Sequence, residues 1–169
     1  MSTTSSNMVS QYLIFSLNSE LYAVGTLRVR EIIEYGNMTS VPMMPSFIRG
    51  VINLRGAVVP VIDLNARFGR GKTAVSRRTC VVILEVAAEE RTHVLGIVVD
   101  AVSAVKQINQ IDVEPAPSFG NHIRTDFIDG MAKVNGQFVI LLDLGKVLSV
   151  DEISALGQAA SVPELAHEV

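Results

Sequence analysis

The sequence predicts an all-β fold built from a duplicated module, and three observations carry that prediction. Residues 47–64, FIRGVINLRGAVVPVIDL, hold two short runs dominated by Val and Ile, 50–54 and 57–64, on either side of Arg55-Gly56. Such runs read as strands, and the gap between them reads as a tight hairpin turn. Residues 127–144, FIDGMAKVNGQFVILLDL, repeat the pattern without a gap: Phe47 matches Phe127, Gly50 matches Gly130, Gly56 matches Gly136, Val59 matches Val139, and Asp63-Leu64 matches Asp143-Leu144. A further pair of segments, 22–29 and 95–102, lines up in the same order, each ending in Val. An internal repeat of this kind decides the architecture before any single element does.

The two turns differ in one residue. Asn135-Gly136 is a strong hairpin signal, because a type I′ turn needs positive φ at both central positions. The first copy has Arg55 where the second has Asn135. If the turns share a type, Arg55 is left-handed at roughly 1–2 kcal/mol. Either the first turn is of another type, or Arg55 is kept at the tip because its guanidinium binds something there.

Taken in order, residues 1–10 are Ser/Thr-rich and read as a disordered lead. YLIFSL at 12–17 alternates as a strand, Asn18-Ser19 turns the chain, and 21–24 return. VREIIEY at 29–35 places Val29, Ile32 and Ile33 at helix-like spacing, so a helical turn and a strand both remain open. Pro42 and Pro45 bracket two Met in a loop, and Pro60 interrupts the 57–64 run, implying an edge strand or a bulge. Asp63 and Asp143 each read as a strand-to-helix cap. Residues 65–78, NARFGRGKTAVSRR, hold five Lys/Arg and no acid, a solvated loop first and a docking patch second. Two strands follow at 79–86 and 93–99, and 100–108 form the second copy of the Val29 region. Ser149-Val-Asp-Glu152 is a capping box opening a C-terminal helix to about Leu156, and 157–169 read as a flexible tail.

Composition narrows the function. At 169 residues with net charge −3 and a pI near 5.6, the chain lacks the basic footprint of a nucleic-acid binder. It has no apolar run of the roughly 18–20 residues that a membrane span needs, and no secretory signal pattern. Cys80 alone excludes a disulfide framework and fits a reducing cytoplasm. His93, His122 and His167 have no partner at metal-ligand spacing, and no nucleophile motif appears. Gly71-Lys72-Thr73 imitates the end of a phosphate-binding loop, but Ala66 stands where that motif needs Gly and no long helix follows. These features point away from an enzyme and from a cofactor.

Val29-Arg-Glu31-Ile32, Gly50-Val-Ile-Asn-Leu-Arg-Gly56, Val58-Val-Pro-Val-Ile-Asp-Leu64 and Gly96-Ile-Val-Val-Asp-Ala-Val102 together resemble the bacterial chemotaxis coupling protein family CheW, in order and from about residue 11 to 156. The resemblance implies one domain over 11–156, made of two interleaved SH3-like five-stranded β-barrels with central hairpins 47–64 and 127–144, short helices, no catalysis and no cofactor. It implies as partners the regulatory domain of a CheA-type histidine kinase and the cytoplasmic tip of a methyl-accepting receptor, at the inner face of the membrane. Carried over by motif, Arg55 and Glu31 lead the receptor- and kinase-binding set, with Val29, Gly50, Asn53, Val58, Gly96, Val102 and Val105. The valines and glycines have a structural reading beside the binding one. The absence of a response-regulator segment after Leu156 argues against the two-domain adaptor variant. The alternatives are the same adaptor role in a pili-based or other non-flagellar pathway and, from another class, a nucleotide-dependent enzyme using Gly71-Lys72-Thr73. The basic loop lies outside the shared motifs and is expected to steer partner association.

Overall fold

The computed structural model describes residues 9–88, 90–115 and 127–147. Ten strands appear in that part of the chain: β1 (Val9–Leu17), β2 (Glu20–Gly25), β3 (Val29–Glu34), β4 (Ile48–Leu54), β5 (Ala57–Asp63), β6 (Cys80–Ala88), β7 (Arg91–Val99), β8 (Ala101–Asn109), β9 (Ile128–Val134) and β10 (Gln137–Leu142). One-turn helices α1 (Leu64–Arg67) and α2 (Leu144–Val147) follow the two matched Asp residues. The all-β expectation holds. β1 already begins at Val9, so residues 9 and 10 belong to a strand and not to the lead. The helix expected from Ser149 and the tail 157–169 lie outside the described residues.

The strands form two five-stranded sheets, ordered β8-β1-β2-β10-β9 and β3-β6-β7-β5-β4. The duplication is therefore reciprocal and exchanged. β1 and β2 of the first copy sit with β8, β9 and β10 of the second, while β6 and β7 of the second sit with β3, β4 and β5 of the first. Parallel pairing of β2 with β10 and of β5 with β7 stitches the copies together.

Neither sheet closes into a barrel by continuous strand pairing. In each, the chain running on from one edge strand reaches the opposite edge and makes a single bridge. Beyond β3, Thr39 and Val51 exchange backbone hydrogen bonds of 2.9 and 2.8 Å. Beyond β8, Glu114 and Met131 do the same at 2.8 and 2.7 Å. These equivalent seams need a bare backbone beside them. A Cβ on Gly50 would lie 2.6 Å from the Thr39 carbonyl oxygen, and one on Gly130 2.8 Å from that of Glu114.

Period-2 alternation along strands buried on both faces fills three apolar layers. Leu13, Phe15, Leu17, Tyr22 and Val24 from one sheet meet Val82, Leu84, Val86, Leu95, Ile97 and Val99 from the other in the largest core. Their sequence neighbours point the other way: Ile14 and Ala23 line the interior of the first sheet with Val139 and Leu141, and Val81, Ile83 and Val98 line that of the second with Val59 and Val61.

One reading left open is settled and one changes. Residues 29–34 are a strand: pairing with β6 turns Val29, Glu31 and Ile33 toward the protein and leaves Ile32 44% exposed, so the helix-like spacing was accidental. Pro60 lies in an interior strand, not at an edge or in a bulge of its own strand. It is tolerated because β5 pairs only with β4 at that point, through Val51, and pairing with β7 begins at Val61.

Candidate docking site at the first hairpin

Arg55 and Gly56 have φ of 52° and 88°, and Asn135 and Gly136 have 51° and 83°. The two turns share a conformation, so Arg55 does occupy the left-handed region that favours Asn or Gly, at roughly 1–2 kcal/mol. Asn53 completes the turn, its Oδ1 accepting from the Gly56 amide at 2.9 Å. The Arg55 guanidinium forks onto the Glu31 carboxylate, Nη1 donating to Oε1 at 3.3 Å and Nη2 to Oε2. Glu31 lies on β3 and Arg55 at the end of β4, the two edges of one sheet, so the pair clasps the open seam. Hydrogen bonding from Arg55 holds the Glu31 carboxyl below its ordinary range, and the same bond raises Arg55. Arg55 remains 69% exposed, and an ion pair so open to water returns little stability. The strained backbone is thus not explained by the pair it makes.

The second sheet has no counterpart to this clasp. Asn135 stands at the tip, and the position matching Glu31, two residues after Val102 as Glu31 follows Val29, is Ala104. Beside the first hairpin an open groove of about 490 Å³ runs past Arg30, Leu54, Arg55, Val58, Pro60 and His93. It combines apolar walls with cationic rims, a surface suited to an amphipathic segment.

The nine residues carried over by motif separate physically. Arg55, Glu31, Asn53 and Val58 come together at this hairpin. Gly50 is buried under the seam. Gly96 is buried inside the second sheet, where a Cβ would meet Val81 Cγ1 at 2.8 Å. Val29 and Val102, at equivalent positions, are half-buried against the central core. Val105 is 50% exposed on β8, in the other sheet, where it matches Ile32. Exposed Arg30 and Ile32 and half-buried Leu54 belong to the surface of this region without having been singled out. Ile32 was hidden by the helix-like spacing, and Arg30, paired with Glu85 at 3.3 Å, carried no signal beyond its charge.

Behind the site, the buried Asp63 carboxylate accepts from the Thr73 amide and hydroxyl, both at 2.8 Å, and from the Ala66 amide at 3.3 Å, with Arg49 Nε 3.7 Å away. The cap expected at Asp63 is present. Thr73 of the Gly71-Lys72-Thr73 sequence is 4% exposed and spends its hydroxyl on Asp63, so its place in the sequence is accounted for by anchoring the loop. Cys80 is half-buried against the core, and burial pushes its thiol up. Among the described residues no group of three or more His, Cys, Asp or Glu is placed to hold a metal ion, and no helix is long and apolar enough to cross a membrane.

Comparison with known proteins agrees with this architecture. A solved scaffolding protein, TtCheW from Thermoanaerobacter tengcongensis, superposes with a TM-score of 0.74 at 36% identity, covering 86% of this chain and 91% of that one. The chemotaxis protein CheW of Klebsiella aerogenes is 35% identical over 150 residues, 89% of this chain and 88% of that protein. The protein FrzA of Myxococcus xanthus is 28% identical over 140 residues, 82% and 84% of the two chains. Residues 11–152 match the CheW-like domain. With two exchanged five-stranded sheets and a match over most of its length, the chain belongs to the CheW-like domain family.

Proposed function

We propose that this protein is a non-catalytic adaptor that couples the cytoplasmic tips of methyl-accepting chemotaxis receptors to the regulatory domain of a CheA-type histidine kinase, so that receptor state sets kinase activity. It works in the cytoplasm, held at the inner face of the membrane through the receptors. One observation carries the reading: a left-handed Arg55 at a hairpin tip, forked onto Glu31 across an open seam and flanked by an open groove with Leu54, Val58 and Pro60 in its wall. A helix laid in that groove would bury Leu54 and Val58 and exchange the exposed Arg55–Glu31 pair for contacts of its own. Val105, exposed on the other sheet, supplies a separate surface for the second partner, which allows both to be held at once.

The test is capture of a kinase regulatory domain and of a receptor signalling fragment by the wild type and by Arg55→Ala. The expected result is capture of both by the wild type and selective loss of the receptor fragment in the variant, with thermal unfolding unchanged. If the wild type captures neither at low and at moderate salt, the coupling role is wrong and only the fold remains.

A further inference from the structure

The duplication gives the molecule two equivalent corners, at the ends of β5 and β10, where one sheet meets the other. The first corner is filled. Arg49 brings its Nε within 3.7 Å of the buried Asp63 carboxylate and donates from Nη2 to the Thr73 carbonyl at 2.9 Å. Thr73 gives its amide and hydroxyl to Asp63. Asn65 Nδ2 donates to the Thr73 hydroxyl at 2.8 Å, and the Asp100 carboxylate accepts from the Asn18 amide at 2.6 Å, tying in the β1–β2 turn of the other sheet.

The second corner has the same frame and lacks the filling. Counted along the aligned repeats, Asp143 stands for Asp63, Asp129 for Arg49, Gly145 for Asn65 and Leu27 for Asp100. A cleft of about 260 Å³ opens there, with buried Val24 and Leu142 in its floor and Arg28, Glu85, Asp129 and Asp143 around it. Leu27, next to Arg28, is 99% exposed, so it does not cover this corner as Asp100 covers the other. Glu85 is already paired with Arg30 at 3.3 Å. Asp143 accepts from the Gly145 amide at 3.0 Å and has Lys146 Nζ only at 3.8 Å, beyond hydrogen-bonding distance. Among the described residues, Asp129 enters no hydrogen bond or ion pair. Partial desolvation and the Asp143 carboxylate raise its carboxyl above the ordinary value, the state of an acid that has a like charge nearby in place of a cation.

The first corner shows what such a frame holds: there, a guanidinium meets the carboxylate. We infer that the second corner receives an arginine side chain from a partner protein, its guanidinium between Asp129 and Asp143 and its stem along Val24 and Leu142. A planar fork with five donors can serve both carboxylates at once, which the point charge of a lysine cannot. Exposed Leu27 at the lip then meets an apolar neighbour of that arginine. Arg28, of the same sign as the ligand, limits the cleft to one cation. The cleft shares no lining residue with the groove beside Arg55, so the inference stands or falls without the coupling role.

The test is a titration of the isotope-labelled full chain with acetyl-Leu-Arg-amide to about 20 mM, followed by amide shifts. Saturable shifts are expected at residues 25–28, 129 and 143–145. Acetyl-Leu-Lys-amide should bind at least threefold more weakly, and acetyl-Leu-Gln-amide should give no saturable shift at those amides. Asp129→Asn and Asp143→Asn, which keep the side-chain volume, should each weaken the arginine probe at least threefold. Asp129→Arg supplies the cation internally, as Arg49 does in the first copy; it should abolish probe binding while melting no lower than the wild type. The inference is overturned if no shift saturates, or if the shifts centre on other acids such as Glu31 and Glu34. It is also overturned if the lysine or glutamine probe binds as well as the arginine one, or if Asp129→Arg still binds it.

Discussion

Gly50 separates a seam-closing role from a contact role, and Gly50→Ala measures the difference. The new Cβ would sit 2.6 Å from the Thr39 carbonyl oxygen, well inside ordinary van der Waals contact, and its neighbour is backbone that cannot rotate away. Thr39 must retreat, which breaks two reciprocal hydrogen bonds to Val51 at about 1 kcal/mol each. The backbone φ of 151° is also one that L side chains avoid, adding roughly 1–2 kcal/mol. The expected loss is about 3–4 kcal/mol, seen in urea as a midpoint lower by about 1.5–2 M if m is near 2 kcal/mol/M. Gly56→Ala is the control: its φ is 88° but nothing lies within 4 Å, so it carries the backbone strain alone, about 1–2 kcal/mol. Amide exchange at Thr39 and Val51 should accelerate in the first variant and not in the second. The seam argument fails if the two substitutions cost the same, or if those two amides stay protected in Gly50→Ala.

Asp63→Ala should destabilise by about 3–5 kcal/mol in chemical unfolding, because it strands Arg49 and both donors of Thr73 in a buried site. Asp143→Ala, which among the described residues loses the Gly145 amide and a 3.8 Å approach of Lys146, should cost about 1 kcal/mol. Equal losses would show that the two equivalent Asp residues do the same work. Arg55→Asn should leave the melting temperature unchanged or raise it, since Asn relieves roughly 1 kcal/mol of left-handed strain, while receptor-fragment capture falls; a clear drop in melting temperature contradicts this. Partial desolvation in the cleft it lines, and then the nearby Asp143 carboxylate, push the Asp129 carboxyl above its ordinary value although the residue stays exposed. The folded state therefore binds this proton more tightly than the unfolded state does. Its favourable contribution is complete below the ordinary Asp pKa and is lost as pH rises through the raised value. Asp129→Asn should flatten the fall in stability over that window, and an unchanged pH profile counts against the assignment.

The hairpins, the repeat and both helix caps were legible because each depends on residues close in sequence: Asn135-Gly136 dictates its own turn, and Asp63 caps Ala66 three residues on. The strand exchange was legible only through the family resemblance, which implies interleaved subdomains, and not from the residues themselves. Nothing in 29–34 records that its neighbour is β6 and not a strand of its own copy, since pairing partners follow from which apolar faces are left to cover. The motif residues pointed to the candidate site at Arg55 and Glu31, but put Gly50 and Gly96 in the same set although their constraint comes from atoms in other strands. The buried Arg49–Asp63–Thr73 group was equally hidden. The aligned repeat puts Asp129 where the first copy has Arg49, so only the folded chain reveals that a cation and a carboxylate meet in one copy and two acids in the other.

Exchange of strands between the copies also sets the order in which the chain can assemble. Ser16 of β1 pairs with Ala101 of β8, 85 residues later, so an emerging first copy has neither sheet complete. At a synthesis rate of about 5–20 residues per second, the β1 edge waits several seconds for its neighbour. The first copy's own β3, β5 and β4 hold in the second sheet the places that β8, β10 and β9 hold in the first. Until the second copy emerges, β1 and β2 have only those counterparts to pair with, so the exchanged pairing must win over an unexchanged one of the same geometry.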